Sequence, residues 1–194
     1  MTRAPQKRTL QTREKLLTAA REVVKTSGYG GLRVEEVVLK AGVAKGTFFA
    51  HFPDKDALMD QLLGAEMDRI LNELAEGPVP QSAEDMAAAM MPLLDFMTAD
   101  RYVMDVILRL SGAAAVEHIG PIAETFGKQI EVFAKWADAS GTGFRRDIDA
   151  YLMAEGIQAF ALQAMAAKFC ALHNAVSVQD RLGPYLRAWL IPAT

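Results

Sequence analysis

The sequence has one cysteine in 194 residues, which excludes a framework of internal disulfide bonds. A single thiol, Cys170, is typical of proteins in a reducing cytosol. Long apolar runs are also missing, because the most apolar stretch, between Glu155 and Lys168, is too short to span a bilayer. The basic N-terminus is not followed by the apolar segment of a signal peptide. These absences predict a cytoplasmic protein that has no contact with the membrane.

The common signatures of enzymes are absent as well. The sequence contains no GxSxG motif, no phosphate-binding loop and no cluster of histidine and cysteine at metal-ligand spacing. Cys170 and His173 are three residues apart, but two ligands without partners do not make a metal site. We therefore expect no catalytic residue, no metal and no cofactor. The alternative is a small all-α hydrolase or transferase that uses His118 or His173 as a base.

The net charge of −3 hides a separation of charge along the chain. Up to Phe52 the sequence carries ten basic and four acidic residues, a local charge of +6. The remainder carries 11 basic and 20 acidic residues, a charge of −9. The basic segment favours a polyanionic partner such as nucleic acid, although the acidic average of the whole chain argues against one.

Apolar residues recur with the period of a helix nearly throughout the chain, and no strand-like alternation or fixed repeat is present. The pattern predicts an all-α fold of about nine helices. Asp54 and Ser82 are placed to cap the helices that follow them. The first predicted helix has about four turns and ends at residues 27–31. The other predicted helices span residues 34–41, 44–52, 55–76, 83–98, 100–111, 121–138, 147–171 and 177–190.

The second and third predicted helices are short and are joined at Gly42, which is the arrangement of a helix-turn-helix. Two helices that cross steeply and pack against a third need apolar residues at their contact. The sequence supplies them at Val37, Val38, Val43 and Phe48. Glycine suits the turn because a β-carbon penalises left-handed backbone geometry. In isolation, a glycine and a valine between two short helices also fit an ordinary helical corner.

The segment "GLRVEEVVLKAGVAKGTFFAHFPDKDAL" resembles the DNA-binding region of the TetR/AcrR family of one-component transcriptional regulators. The resemblance covers residues 13–58, and the later "GFRRDID" is only weakly similar. It implies a helix-turn-helix DNA-binding domain at residues 1–53 and a larger helical domain at residues 54–194. In this family the larger domain binds a ligand and forms a homodimer through the last two helices.

The third helix, within "VAKGTFFAHF", is the recognition helix that this resemblance implies. Phe48 and Phe52 are four residues apart and face inward with Val43, whereas the polar residues face outward. Outward residues can reach base edges and phosphates in the major groove. The implied DNA-binding residues are Arg33, Lys45, Gly46, Thr47, Phe49, His51 and Lys55.

Three positions depart from the family pattern. Phe49 stands where tyrosine is common, so a phosphate-binding hydroxyl is missing. Ala44 stands where serine often caps the recognition helix, and Arg33 replaces the serine or threonine cap of the second helix. Basic residues at Arg3, Lys7 and Arg8 are expected to compensate, either as a minor-groove arm or, as the alternative, as an unstructured tail.

The larger half is rich in methionine and in apolar helical positions. Nearly every position from Tyr151 to Leu172 is apolar or small, so this helix needs cover on all sides. Pairing with the last helix across a two-fold axis would provide that cover, and burial within one monomer is the alternative. The expected ligand-lining residues are Met90, Phe96, Met104, His118, Phe126, Gln129, Phe133, Phe160 and Gln163.

The resemblance implies a ligand-responsive transcriptional regulator, most simply a repressor. Its expected partners are a palindromic double-stranded DNA operator, a second copy of the chain and a small apolar or amphipathic effector. A DNA-binding protein without a ligand is a further alternative, which the large apolar C-terminal half makes less favourable.

Overall fold

The computed structural model describes residues 3–112, 119–139 and 141–192. Nine helices and no strand are present in these ranges, which confirms the all-α prediction. No helix in the described ranges is long and apolar enough to cross a membrane. The helices are α1 (Arg3–Gly31), α2 (Val34–Ala41), α3 (Lys45–Phe49), α4 (Lys55–Glu76), α5 (Ala83–Met97), α6 (Arg101–Leu110), α7 (Pro121–Asp138), α8 (Ala150–Lys168) and α9 (Val178–Leu190).

Side chains cap the N-termini of five of these helices, four of them through the same hydrogen-bond pattern. The carboxylates of Asp54 and Asp100 and the hydroxyls of Ser82 and Ser177 each accept a hydrogen bond from a backbone N–H three residues further on. Each such cap satisfies a donor that the helix leaves unpaired and contributes about 1 kcal/mol. The predicted caps at Asp54 and Ser82 are therefore confirmed.

Helix α1 begins earlier than the sequence pattern predicts. Lys7 and Arg8 are exposed within the helix, so neither belongs to an unstructured tail or to an extended arm. Near its other end, Gly28 leaves the helical conformation at φ 69°, a region that glycine occupies without the cost that a β-carbon brings.

Two other helices are shorter than predicted. Helix α3 ends at Phe49 rather than at Phe52, and residues 50 and 51 form a turn before Pro53. Helix α8 begins at Ala150 rather than at residue 147, because the Asp149 carboxylate accepts the backbone N–H groups of Tyr151 and Leu152 and starts the helix there.

The helices form two groups that α4 connects. Helix α1 packs against α2, and α2 against α3, around a core that includes Leu16, Val37 and Phe48. In the other group α7 lies between α4 and α8, and α9 packs against both α8 and α5. Helix α4 contacts α1 on one side and α5, α6 and α7 on the other. Helix α6 also contacts α1, so both α4 and α6 join the two groups.

Helices α4 and α7 meet at a close crossing that depends on Gly64. A β-carbon at this position would lie 2.5 Å from Cβ of Pro121 and 2.7 Å from the backbone nitrogen of Ile122. One turn earlier on α4, the Asp60 carboxylate accepts the Ile122 N–H at 3.0 Å and so caps α7 from a neighbouring helix. Burial raises the pKa of Asp60, the Ile122 N–H opposes that rise, and the nearby Glu124 adds to it.

Replacing Gly64 by alanine is expected to lower the free energy of unfolding by about 1–3 kcal/mol, because the added methyl group meets backbone atoms that cannot move aside. Gly127→Ala is the matched control, since Gly127 is exposed within α7 with no atom near its missing β-carbon. Alanine there should raise stability by up to about 1 kcal/mol. Thermal unfolding of both variants measures the contrast, and an equal effect of the two would contradict the close crossing.

Candidate DNA-binding surface and effector region

The turn between α2 and α3 is closed by backbone hydrogen bonds. Gly42 adopts φ 66° and ψ 38°, the left-handed conformation that glycine favours. The Val43 N–H donates to the Val38 carbonyl at 3.0 Å, and the Gly42 N–H donates to the Leu39 carbonyl at 3.2 Å. These two bonds satisfy carbonyl groups at the end of α2 and fix the direction in which α3 leaves the turn.

One face of the α3 segment is buried against the core. Phe48 and Phe52 are 0% and 1% exposed, and their ring centroids lie 5.5 Å apart. Phe49 lies on the other side with 47% of its surface exposed, and its ring meets that of Phe48 edge to face. Phe48 and Phe52 therefore anchor the segment on the core, and Phe49 forms part of its outer surface.

The outer face of α3 carries predicted DNA-binding residues. Lys45 and Gly46 are exposed, and Thr47 is half-buried. Ala44 precedes the helix in an extended conformation and makes no side-chain cap, as its methyl group implies. The backbone at Gly46 is open, since no atom lies near the position of its missing β-carbon.

Lys45 is paired with an acidic residue of α2. Its ammonium donates to a carboxylate oxygen of Glu35 at 2.6 Å, and both side chains are more than half exposed. The hydrogen bond from Lys45 lowers the pKa of Glu35, so this carboxylate is ionised in neutral solution. Lys45 must exchange this partner for a phosphate or a base edge if it binds DNA.

The remaining predicted DNA-binding residues flank α3. Arg33 is exposed at the N-terminus of α2 and makes no side-chain cap. His51 is half-buried just after α3. The ammonium of Lys55 lies 4.6 Å from the ring centroid of Tyr102, so Lys55 contacts α6 instead of standing free in solvent.

Arg13 holds the end of the recognition segment, and the sequence pattern does not reveal this role. Its guanidinium donates to the His51 carbonyl at 3.0 Å and lies 4.3 Å from the ring centroid of Phe52. A cation at the C-terminal end of a helix also complements the partial negative charge of its carbonyl groups. The 38-residue separation between donor and acceptor explains why local spacing gives no signal.

Arg13→Leu is expected to weaken operator binding by about tenfold, because a charged hydrogen bond and a cation–π contact that orient α3 are lost. Fluorescence anisotropy with a labelled operator duplex measures the change. Arg21→Leu is the control on the same helix, since Arg21 is paired with Glu14 on the exposed surface and touches neither α3 nor Phe52. Equal losses from the two variants would argue against a positioning role for Arg13.

The predicted effector-lining residues fall into two sets. Five of them are at most 7% exposed: Met90, Met104, Phe126 and Phe133, which belong to the same hydrophobic core, and the polar Gln129. Phe96 is half-buried, and its ring meets that of Tyr29 on α1 edge to face, with 6.0 Å between the centroids.

Two other predicted residues lie away from this interior. Gln163 is exposed on α8, so its side chain does not line the core. Phe160 stacks on Tyr185 of α9 at 5.3 Å and meets the Trp189 ring at 6.2 Å, which places it in the seam between α8 and α9. His118 falls outside the described residues.

No metal site is formed by the described residues, in which no three His, Cys, Asp or Glu side chains are grouped to hold an ion. Cys170 is half-buried just after the end of α8, and His173 is exposed.

The outer face of α8 exposes several apolar residues in the monomer. Tyr151 and Leu152 are 58% and 51% exposed, and Ala159 is exposed about two turns later, with Glu155 and Gln163 exposed on the same helix. Ile157 and Met165 of the same helix point into the monomer core. The exposed side of α8 therefore carries apolar residues, chiefly Tyr151 and Leu152, beside the polar Glu155 and Gln163, and the monomer covers only the opposite side.

Two short helices joined by a glycine turn, with a buried aromatic face and an exposed face that carries Lys45 and Phe49, have the arrangement of a helix-turn-helix DNA-binding motif. Residues 16–62 match the family model for bacterial regulatory proteins of the tetR family. Over the segment that it covers, this match confirms the resemblance to the TetR family inferred from the sequence.

Individual relatives agree with this assignment. The chain is 32% identical over 111 residues to the uncharacterised HTH-type transcriptional regulator YvdT of Bacillus subtilis, covering 54% of each protein. It is 25% identical over 120 residues to the HTH-type transcriptional repressor KstR of Rhodococcus jostii, covering 59% of this chain and 57% of KstR. These matches span little more than half the length of either relative.

Structural similarity extends over nearly the whole chain. Thermus thermophilus FadR, a TetR-family transcriptional repressor solved in complex with lauroyl-CoA, superposes with a TM-score of 0.65 at 17% identity. The superposition covers 94% of this chain and 97% of FadR. At this identity the similarity establishes a shared fold for both groups of helices.

Proposed function

We propose that this regulator is a repressor that binds a palindromic operator as a dimer and leaves it when a small apolar or amphipathic effector binds. Residues 1–53 would contact DNA, and residues 54–194 would bind the effector and form the dimer. The DNA-binding residues of this proposal are Arg33, Lys45, Gly46, Thr47, Phe49, His51 and Lys55.

The observation that carries the proposal is the two-sided character of α3. Phe48 and Phe52 fix the helix on the core, so its outer face has a defined position. That face offers an ammonium at Lys45, a hydroxyl and methyl at Thr47, and an exposed ring at Phe49. An ammonium can bind a guanine edge or a phosphate, and a threonine methyl can meet the methyl group of thymine.

A two-fold dimer would place two copies of α3 in successive major grooves about 34 Å apart. The uncovered face of α8, with Tyr151 and Leu152, supports a dimer through α8 and α9. If the dimer neutralises six phosphates, log affinity should fall against log salt concentration with a slope of about −5. That slope is measurable without knowledge of the effector.

The effector would act by shifting α4, which contacts both groups of helices. At its N-terminus, Asp56 is paired with Arg109 of α6 at 3.1 Å, and Lys55 contacts Tyr102. An effector among α5, α6 and α7 that moves α6 would thus displace the start of α4 and change the spacing between the two copies of α3. Moving a switch from 99% bound to 99% free requires about 5.5 kcal/mol of differential affinity.

For the effector region we retain the interior residues Met90, Phe96, Met104, Phe126, Gln129 and Phe133. Gln163 and Phe160 are left out because of their positions on α8. Lauroyl-CoA in FadR is amphipathic, which is consistent with an amphipathic effector here. The repressor role draws support from KstR and FadR, both of which are named as repressors.

A gel-shift experiment with DNA from upstream of the coding sequence tests the proposal. The chain is expected to retard this DNA, and an extract of small molecules from the source cells should reverse the shift. An enzyme would leave the DNA unshifted, and a DNA-binding protein without an effector would keep it shifted in the presence of the extract. Either of these two results would overturn the proposal.

A further inference from the structure

Two glutamine side chains meet inside the larger group of helices, where α7 packs against α8. Gln129 on α7 is only 4% exposed, and Gln158 on α8 is half-buried. The Gln158 amide nitrogen donates to the Phe126 carbonyl at 2.9 Å and to the Gln129 side-chain oxygen at 3.3 Å. Gln158 is therefore held by the backbone of α7 and in turn determines which way the Gln129 amide faces.

The nitrogen of the Gln129 amide is left without a partner. Its side-chain oxygen faces Gln158, so Nε2 points away from that contact, and it is fully buried with no acceptor among the described residues. The reversed amide would bring two NH₂ groups together, which the anchoring of Gln158 disfavours. A buried donor without an acceptor typically costs about 1–3 kcal/mol, so native proteins seldom retain one without a function or a bound molecule.

Among the described residues of α4, α7 and α8, no lysine or arginine side chain is buried. Phe126 and Phe133 lie one turn to either side on α7 and are buried. The charged side chains of α7 and α8 are exposed, and Lys168 of α8 turns its ammonium to Thr98 at the end of α5. On the facing helix α4, the half-buried Asp60 carries a carboxyl group. An anionic ligand bound here would be buried without a counter-ion, which is energetically costly. An uncharged ligand with an acceptor oxygen would instead accept a hydrogen bond from the unpaired Gln129 N–H.

We propose that Gln129 is the polar anchor of the effector site, and that the effector is an uncharged, mainly apolar molecule with a carbonyl oxygen, such as a ketone, ester or lactone. The inference rests on the proposed function, since it names the chemical class of that effector. The carbonyl accepts the free Gln129 N–H, and the apolar body lies among the phenylalanine and methionine side chains. Buried methionines in the same core, including Met90 and Met153, adapt readily to make room.

Gln129→Met tests the anchor without a ligand, because methionine keeps the length of the side chain and removes the unpaired donor. Gln158 retains its bond to the Phe126 carbonyl in this variant. The variant is expected to be at least as stable as the wild-type protein in thermal unfolding. A clear loss of stability would show that the amide already has a partner, such as a buried water, and would overturn the proposal. Gln129→Leu repeats the measurement if the methionine variant does not fold.

Three probes of equal chain length then test the ligand class: 2-octanone, octanoate and octylammonium. The ketone alone is expected to raise the melting temperature of the wild-type protein, and Gln129→Met should weaken its binding about tenfold. Equal stabilisation by either ion, no stabilisation by the ketone, or unchanged ketone binding in the variant would each overturn the inference. If the cell extract still releases the operator in that case, the proposed function stands and only the ligand class is wrong.

Discussion

Replacing Lys45 and Thr47 together by alanine is expected to weaken operator binding at least about 100-fold. Each half-site would lose base or phosphate contacts of about 1–3 kcal/mol, and a dimer has two half-sites. Both side chains lie on the outer face of α3, so the loss should occur without a change in the free energy of unfolding. Anisotropy titration with an operator duplex, beside thermal unfolding of the same samples, measures both quantities.

Two controls separate a lost contact from a change in charge. Lys135→Ala removes the same charge from an exposed position on α7 and should leave operator affinity within about twofold, because α7 is not part of the DNA-binding group. Removing Lys45 also frees the Glu35 carboxylate, which would repel DNA. Adding Glu35→Gln to the double variant removes that repulsion. Full recovery of affinity in the triple variant would mean that Lys45 and Thr47 make no contact with the operator.

A charge on the uncovered face of α8 is expected to abolish dimerisation and reduce operator affinity roughly 1,000-fold, since a monomer binds one half-site instead of two. Leu152→Asp is the variant of choice. Leucine 152 is 51% exposed in the monomer, so the aspartate remains solvated there, whereas two carboxylates buried at a two-fold interface would cost several kcal/mol each. Light scattering should give the mass of one chain for the variant and of two chains for the wild-type protein.

Val79→Asp provides the matched control for the interface. Val79 is 39% exposed in the segment between α4 and α5, outside α8 and α9, and a charge there should leave mass and operator affinity unchanged. A Leu152→Asp variant that remains dimeric and binds the operator normally would exclude this face of α8 as the dimer interface.

The helix boundaries that the sequence predicts well are those set by local chemistry. Asp54 and Ser82 cap their helices through hydrogen bonds that span three residues, and Gly42 ends α2 at the predicted position. The pattern of Phe48 and Phe52 likewise predicts which side of α3 is buried. Each of these signals lies within about one helical turn, which is why a single sequence reveals them.

Features that depend on distant parts of the chain are not predictable in this way. Arg13 meets the His51 carbonyl, Asp60 caps α7, and Lys55 lies against Tyr102, although each pair is separated by dozens of residues. The same limit applies to the effector region, where Gln163 follows the apolar pattern of α8 and yet faces solvent. Spacing shows which residues share a helix face but not which neighbour that face meets.

A cleaving group on the recognition helix tests the central claim most directly. Cys170 is the single cysteine of the chain, so Cys170→Ser with Ala50→Cys leaves one thiol, on the exposed end of the α3 segment, for attachment of iron-EDTA. If two copies of α3 occupy successive major grooves, cleavage of the operator should appear in two clusters about one helical turn, or about 34 Å, apart. Cleavage spread evenly along the duplex, or confined to one cluster, would contradict the account.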